Sequence, residues 1–193
     1  MRHIRQSGQA GKRAPKPLDR ARLQELALAY VARFSTTGAK LERYLKRKLR
    51  ERGWDDEGEP DVAALAQRYA ELGYVDDAAW AKSKSGSLLR RGYGPRRVKE
   101  ALGAAGVAET IRDSLRPGDA EMRHAALALA RKRRFGPFGK EQPDAARREK
   151  QIAAMLRAGH MLDSAREMVD AETVAAAEDW AAELDDDREI SKG

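Results

Sequence analysis

The chain has 193 residues, with 38 Lys and Arg against 31 Asp and Glu, a formal charge of +7 and a pI near 9.7, a balance that favours an acidic partner. It contains no cysteine, which excludes a disulfide framework and thiolate metal sites and suits a reducing compartment. Residues 1–17 lack the apolar run of a secretory signal, and no later stretch approaches a membrane span, so a soluble cytoplasmic protein without membrane contact is expected.

The charge is unevenly placed. Residues 1–20 carry six bases against one acid, residues 21–162 carry 29 against 19, and residues 163–190 carry two against eleven. The middle is therefore the attractive surface for an anionic polymer. Gly8, Gly11, Pro15 and Pro17 make residues 1–18 a flexible basic arm in this reading.

From Asp19, apolar periodicity predicts helices throughout. The first runs from an Asp19 N-cap to Phe34, with Leu23, Leu26, Ala27, Tyr30 and Phe34 on one face. Ser35, Thr36 and Thr37 offer caps for the second, whose Leu41, Leu45 and Leu49 form a stripe that Gly53 terminates. A third follows Asp61 and carries Val62, Leu65, Tyr69 and Leu72 to Gly73. The pattern then recurs: Asp76 to Leu89, a break over Gly92 to Gly94, Pro95 to Gly106, and a short helix to Leu115. A third round begins with Asp119 as cap of an alanine-rich helix, crosses a loop with Gly136, Pro137, Gly139 and Pro143, resumes through Ile152 and Met155 to Gly159, and closes with a helix at about 164–169. Past Asp170 an acidic helix extends towards Leu184, with a frayed end from Asp185.

Gly53, Gly106 and Gly159 lie 53 residues apart, each four positions after Leu49, Leu102 or Met155. Such a fixed period marks an array of stacked units, here an elongated all-α array of three three-helix repeats. The expected boundaries are 1–18 for the arm, 19–75, 76–118 and 119–170 for the repeats, and 171–193 for an acidic extension. No segment alternates apolar and polar residues in the manner of a strand.

Basic residues cluster near the junction of the first and second helix of each round. Lys40, Arg43, Arg47 and Arg50 form a ridge opposite the leucine stripe of the second helix. Arg90, Arg91, Arg96, Arg97 and Lys99 recur in the second round, and Arg131, Lys132, Arg133, Arg134, Arg147, Arg148 and Lys150 in the third. One such ridge reads equally as a solvated face with local pairs such as Glu42 with Lys46, but recurrence favours a binding surface. Asp76 and Asp77 read as helix caps, not as an acid pair, and Tyr74 and Trp80 as packing. Gly92-Tyr93-Gly94-Pro95 lacks the strand of a phosphate loop and reads as a helix break. His3, His124 and His160 are scattered, and no catalytic constellation, metal set or cofactor motif is present, so a non-enzyme is expected.

Gly73-Tyr74-Val75-Asp76-Asp77 with Trp80-Ala81, then Gly92-Tyr93-Gly94-Pro95-Arg96-Arg97-Val98 with Leu102 and Gly106-Val107, resemble the central signature of the RecX family of recombinase regulators. Ala29-Tyr30-Val31 and Leu45 to Gly53 are similar to its first repeat, and Met155-Leu156-Arg157-Ala158-Gly159 to its third. The resemblance implies a bent array of three-helix repeats lying in the groove of the RecA filament on single-stranded DNA. It implies inhibition of the RecA ATPase, strand exchange and coprotease-promoting activities, in recombination, DNA repair and the SOS response, without chemistry by the regulator. A monomer with direct contact to DNA is expected, and the alternative is a non-specific nucleic-acid-binding protein acting without RecA. His160 stands where the family has an aromatic or apolar residue, and Trp80 where it has Phe. The acidic stretch beyond Val169 is atypical of the family, and no family role carries onto it; one hypothesis is that it folds back on the basic surface as a pseudo-ligand.

Overall fold

Helix starts follow the acceptors that the sequence supplies for the first free N–H groups. Asp19, Thr37, Asp61, Asp76, Asp144 and Thr173 each accept a hydrogen bond at the N-cap from the backbone N–H three positions on. The computed structural model describes residues 16–185 and is all-helical there. In chain order the elements are α1 Arg20–Arg33, α2 Gly38–Arg52, α3 Val62–Glu71, α4 Asp77–Arg90, α5 Pro95–Ala104, α6 Glu109–Ser114, α7 Asp119–Arg133, α8 Ala145–Arg157, α9 Leu162–Asp170 and α10 Val174–Ala182, with one 3-10 turn at Gly136–Phe138. Among the described residues there is no strand, and one isolated bridge joins Leu18 to Trp54.

The apolar stripes gather into three buried clusters. Leu23, Leu41, Leu45, Val62 and Tyr69 hold α1, α2 and α3 together. Ala81, Leu88, Val98, Leu102 and Val107 join α4 to α5 and the start of the α6 segment. Leu129, Ile152, Met155, Met168 and Val169 form the last cluster. Helix α7 ties the second and third together, since Ala125 faces one and Ala126 the other. Fully buried leucines such as Leu41, Leu45 and Leu102 are each worth about 2–5 kcal/mol against alanine.

Several sequence expectations are corrected. Leu18, placed with the arm, is fully buried in the first cluster, because its N–H donates to Gly53 O at 3.0 Å and its carbonyl accepts from Asp55 N at 2.8 Å. Of the expected arm, 1–18, residues 1–15 lie outside the described residues, as do 186–193. Leu72 is 60% exposed: the turn at Gly73 folds the chain back onto Tyr69 O and inserts Val75 into the core instead. Phe34 follows the last residue of α1 in an extended conformation, so it meets Tyr30 at 5.2 Å and stays about half exposed. Tyr74, read as packing, is also exposed. Asp119 is the first helical residue, not the cap; Gly118 holds that position and its N–H donates to Glu121. The helix expected past Asp170 is α10, which starts at Val174 behind a Thr173 N-cap and ends at Ala182, two residues short of Leu184. Ala177 and Ala181 of α10 are fully buried, so the start of the extension belongs to the last core.

A candidate cationic surface along the helix junctions

The second helices of the three clusters meet end to end. At the first junction the C-terminus of α5 abuts the N-terminus of α2: the Thr37 hydroxyl donates to Ala105 O at 2.7 Å, and the Arg43 guanidinium donates to Ala104 O at 3.0 Å. At the second, the C-terminus of α8 abuts α5: Gly94 N donates to Ala158 O at 2.9 Å, Arg96 N to Gly159 O at 3.2 Å, and the Arg96 guanidinium to Leu156 O. Helix dipoles thus lie in series, with carbonyl ends facing amide ends and a cation beside each carbonyl end.

The 53-residue period places these contacts. Gly106 and Gly159 have φ of +80° and +96°, in the left-handed region. A Cβ on Gly106 would overlap the Ala39 methyl, and one on Gly159 would overlap the Arg97 backbone. The two glycines therefore do double duty as helix terminators and as seats for the adjoining helix. Gly53 shares the φ, at +82°, but has nothing within reach of such a Cβ.

This geometry divides the predicted basic residues. Lys40 is half-buried, with its Nζ 3.8 Å from the Trp80 ring centre; burial, then Lys84 and Arg43, hold its pKa below the usual lysine range. Arg43 and Arg96 extend to carbonyls across the junctions. Arg47 pairs with Glu51 at 3.5 Å and lies over Tyr44, while Arg97 pairs with Glu100 at 3.1 Å. Arg147 reaches Asp144, Arg148 grips Asp170 with Nε and Nη2, and Arg131 pairs with Glu178. Among the described residues, Arg50, Arg90, Lys99, Arg133 and Arg134 have no ion-pair partner and are exposed. Carbonyl contacts or ion pairs thus occupy Arg43, Arg47, Arg96, Arg97, Arg131, Arg147 and Arg148. Asp76 caps α4 as expected, and Asp77 adds a bond across the first junction, accepting from Gly38 N at 2.9 Å.

A cleft of about 290 Å³ opens beside the second junction. Arg91, Lys132, Arg133 and Arg157 line it with four cations and no carboxylate, and Tyr93 and Phe135 supply aromatic walls. Arg91 stands 5.4 Å from the Tyr93 ring centre. Arg91, Lys132 and Arg133 were among the predicted surface residues, whereas Tyr93, Phe135 and Arg157 were not, because three distant segments assemble the cleft. The available signal was the cluster Arg131 to Arg134 together with the Arg157 of the third glycine phrase.

Behind the cleft, His160 is buried, and its Nε2 donates to Gly92 O at 2.9 Å. Burial lowers its pKa below the usual 6.5, against the raising effect of that hydrogen bond, so the ring is held neutral. On the far side of α7, α10 brings acids onto bases: Glu178 to Arg131, Glu183 to Arg123, and Asp185 to His124 at 2.7 Å. Arg123 also lies 4.5 Å from the Trp180 ring centre. In the described part of the acidic extension, 171–185, these carboxylates meet basic side chains of α7, and none of them lines the cleft. Among the described residues no group of three or more His, Cys, Asp or Glu is arranged to hold a metal ion, and no helix is long and apolar enough to cross a membrane.

No protein-family model matches the chain. It is 31% identical over 173 residues to regulatory protein RecX of Myxococcus xanthus, covering 83% of this chain and 90% of that one. It is 32% identical over 148 residues to regulatory protein RecX of Agrobacterium fabrum, covering 74% and 78%. The fold superposes on the crystal structure of RecX from Lactobacillus salivarius with a TM-score of 0.60 at 18% identity, over 78% of this chain and 94% of that one. A second RecX crystal structure gives the same TM-score at 20% identity. With all-helical architecture, glycine-spaced junctions and this extent of identity, the chain belongs to the RecX family of regulatory proteins.

Proposed function

We propose that this protein is an inhibitor of the RecA recombinase that lies in the groove of the RecA filament on single-stranded DNA and restrains its ATPase, strand exchange and coprotease-promoting activities. In this reading it acts as a cytoplasmic monomer made of three three-helix units, 19–75, 76–118 and 119–170, and performs no chemistry of its own. The observation that carries the proposal is the cleft at the second junction, with four cations, no carboxylate and two aromatic walls, in a member of the RecX family. Spaced cations along a repeated scaffold engage a repeating polymer at several points, so avidity replaces a deep pocket. Arg50, Arg90, Lys99, Arg133 and Arg134 are the predicted residues best placed to add to this surface, since they are exposed and unpaired among the described residues. Arg43 and Arg96 contribute by holding the spacing between units.

The test is RecA ATPase on single-stranded DNA titrated with the protein. Hydrolysis is expected to fall at protein concentrations too low to coat bare DNA; hydrolysis unchanged at saturation removes the proposal. A second reading, direct non-specific nucleic-acid binding without RecA, is favoured by the aromatic walls, which suit base stacking beside phosphate contacts. Under it, affinity for naked single strands equals affinity for filaments and falls with salt with a log-log slope of about 0.7 per phosphate contacted.

A further inference from the structure

A second concavity, about 370 Å³, lies between α5, α6 and the start of α9, and its chemistry is different. Its floor is apolar: Val98 and Leu102 from α5, Leu115 after α6, and Met161 at the N-cap of α9. Met161 is 63% exposed at a position where a hydroxyl or carboxylate side chain ordinarily serves the helix. Cations stand at its edge, namely Arg96, Lys99, Arg112 and Arg116, with Asp113 as the one acid in the wall. Arg112 Nε is buried and has no hydrogen-bond partner among the described residues. With four cations against one carboxylate, the edge carries a positive balance that suits an acidic partner. The wall contains no aromatic ring, so nothing here stacks a nucleobase, in contrast to the cleft with Tyr93 and Phe135.

We infer that this concavity is a docking site for an acidic amphipathic segment of a protein partner, with an apolar side chain seated against Leu102, Leu115 and Met161 and carboxylates on Arg112 and Arg116. Apolar anchors supply affinity in such grooves, and the charged rim sets orientation and rejects basic segments. The inference goes beyond the proposed function and stands whichever polymer occupies the cationic cleft.

The probe is a fluorescein-labelled helical peptide with leucines at i, i+4 and i+7 and glutamates elsewhere, followed by anisotropy against the full chain. Saturable binding is expected, at least about tenfold tighter than for the same peptide with lysines in place of glutamates. The double variant Arg116→Glu, Met161→Asp is expected to weaken peptide binding by about tenfold or more while leaving single-stranded DNA binding and helix content unchanged. Equal binding of the lysine peptide, no effect of the double variant, or displacement of the peptide by single-stranded DNA would each overturn the inference. Peptide binding that emerges only after deletion of residues 186–193, which hold Asp186, Asp187 and Glu189, would assign the site to the chain's own acidic end and overturn it likewise. A failure here with ATPase inhibition intact separates this site from the proposed function.

Discussion

The two junctions solve the same packing problem with different groups. At the first, a buried hydroxyl, Thr37, meets the carbonyl end of α5, and Lys40 on Trp80 covers the flank. At the second, backbone amides of Gly94 and Arg96 meet the carbonyl end of α8, and a buried imidazole, His160, fastens the connecting turn at Gly92. Both retain a glycine in the left-handed region and an arginine directed at the carbonyl end, and Arg43 and Arg96 are themselves one period apart. The conserved geometry within one chain shows that the glycine and the arginine are the parts that stacking demands. The groups around them are free to vary, and at the second junction that freedom leaves a cationic cleft.

The largest effect is expected from the glycines. Gly159→Ala combines left-handed strain with overlap on the Arg97 backbone and should cost about 3 kcal/mol or more, whereas Gly53→Ala, with open space around it, should cost about 1 kcal/mol. Urea denaturation of the two variants compares them; equal losses would mean that close approach at the second junction carries no weight. Next, reversing Arg91, Arg133 and Arg157 to glutamate should weaken single-stranded DNA or filament binding by about tenfold to a hundredfold and lower the log-log salt slope by about 2. Fluorescence anisotropy across a salt series reads both quantities, and an unchanged slope removes phosphate contact from the cleft.

Smaller effects separate the two junctions further. Thr37→Val preserves shape but leaves Ala105 O unmet and removes the N-cap of α2, a combined loss of about 2–3 kcal/mol measurable by denaturation, with Thr36→Val as the control because its hydroxyl has no partner. His160 gives the smallest signature. Its native pKa lies below the unfolded value, so between the two the unfolded state binds the extra proton and stability falls as pH drops below about 6.5. Its contribution is fully present above that pH. His160→Gln should flatten this part of the stability profile between pH 7 and 5; a wild-type profile of the same slope would place the pH dependence elsewhere.

Much of the fold was legible in the chain because caps and terminators act locally. Asp19, Thr37, Asp61, Asp76 and Pro95 start helices where their side chains or ring dictate, and Gly53, Gly73, Gly106 and Gly159 mark their ends. Misplaced residues were at element ends, where Val75 displaced Leu72 from the core and Leu18 was recruited by backbone bonds to Gly53 and Asp55. The surface was less legible. Periodicity placed Lys40, Arg43, Arg47 and Arg50 on one side of α2, but it carried no information about Trp80 or Ala104 approaching from elsewhere.

By itself the sequence determined the helix order, the 53-residue spacing of the terminators and the excess of positive charge, since these depend on backbone preferences and counts within a few residues. Which cations remain available was decided only by tertiary structure. Arg96 meets Leu156 from 60 positions away and Arg131 meets Glu178 from 47, while Arg91, Lys132, Arg133 and Arg157 converge without any carboxylate. Electrostatic neutralisation depends on distance in space, and the fold sets that distance independently of separation along the chain.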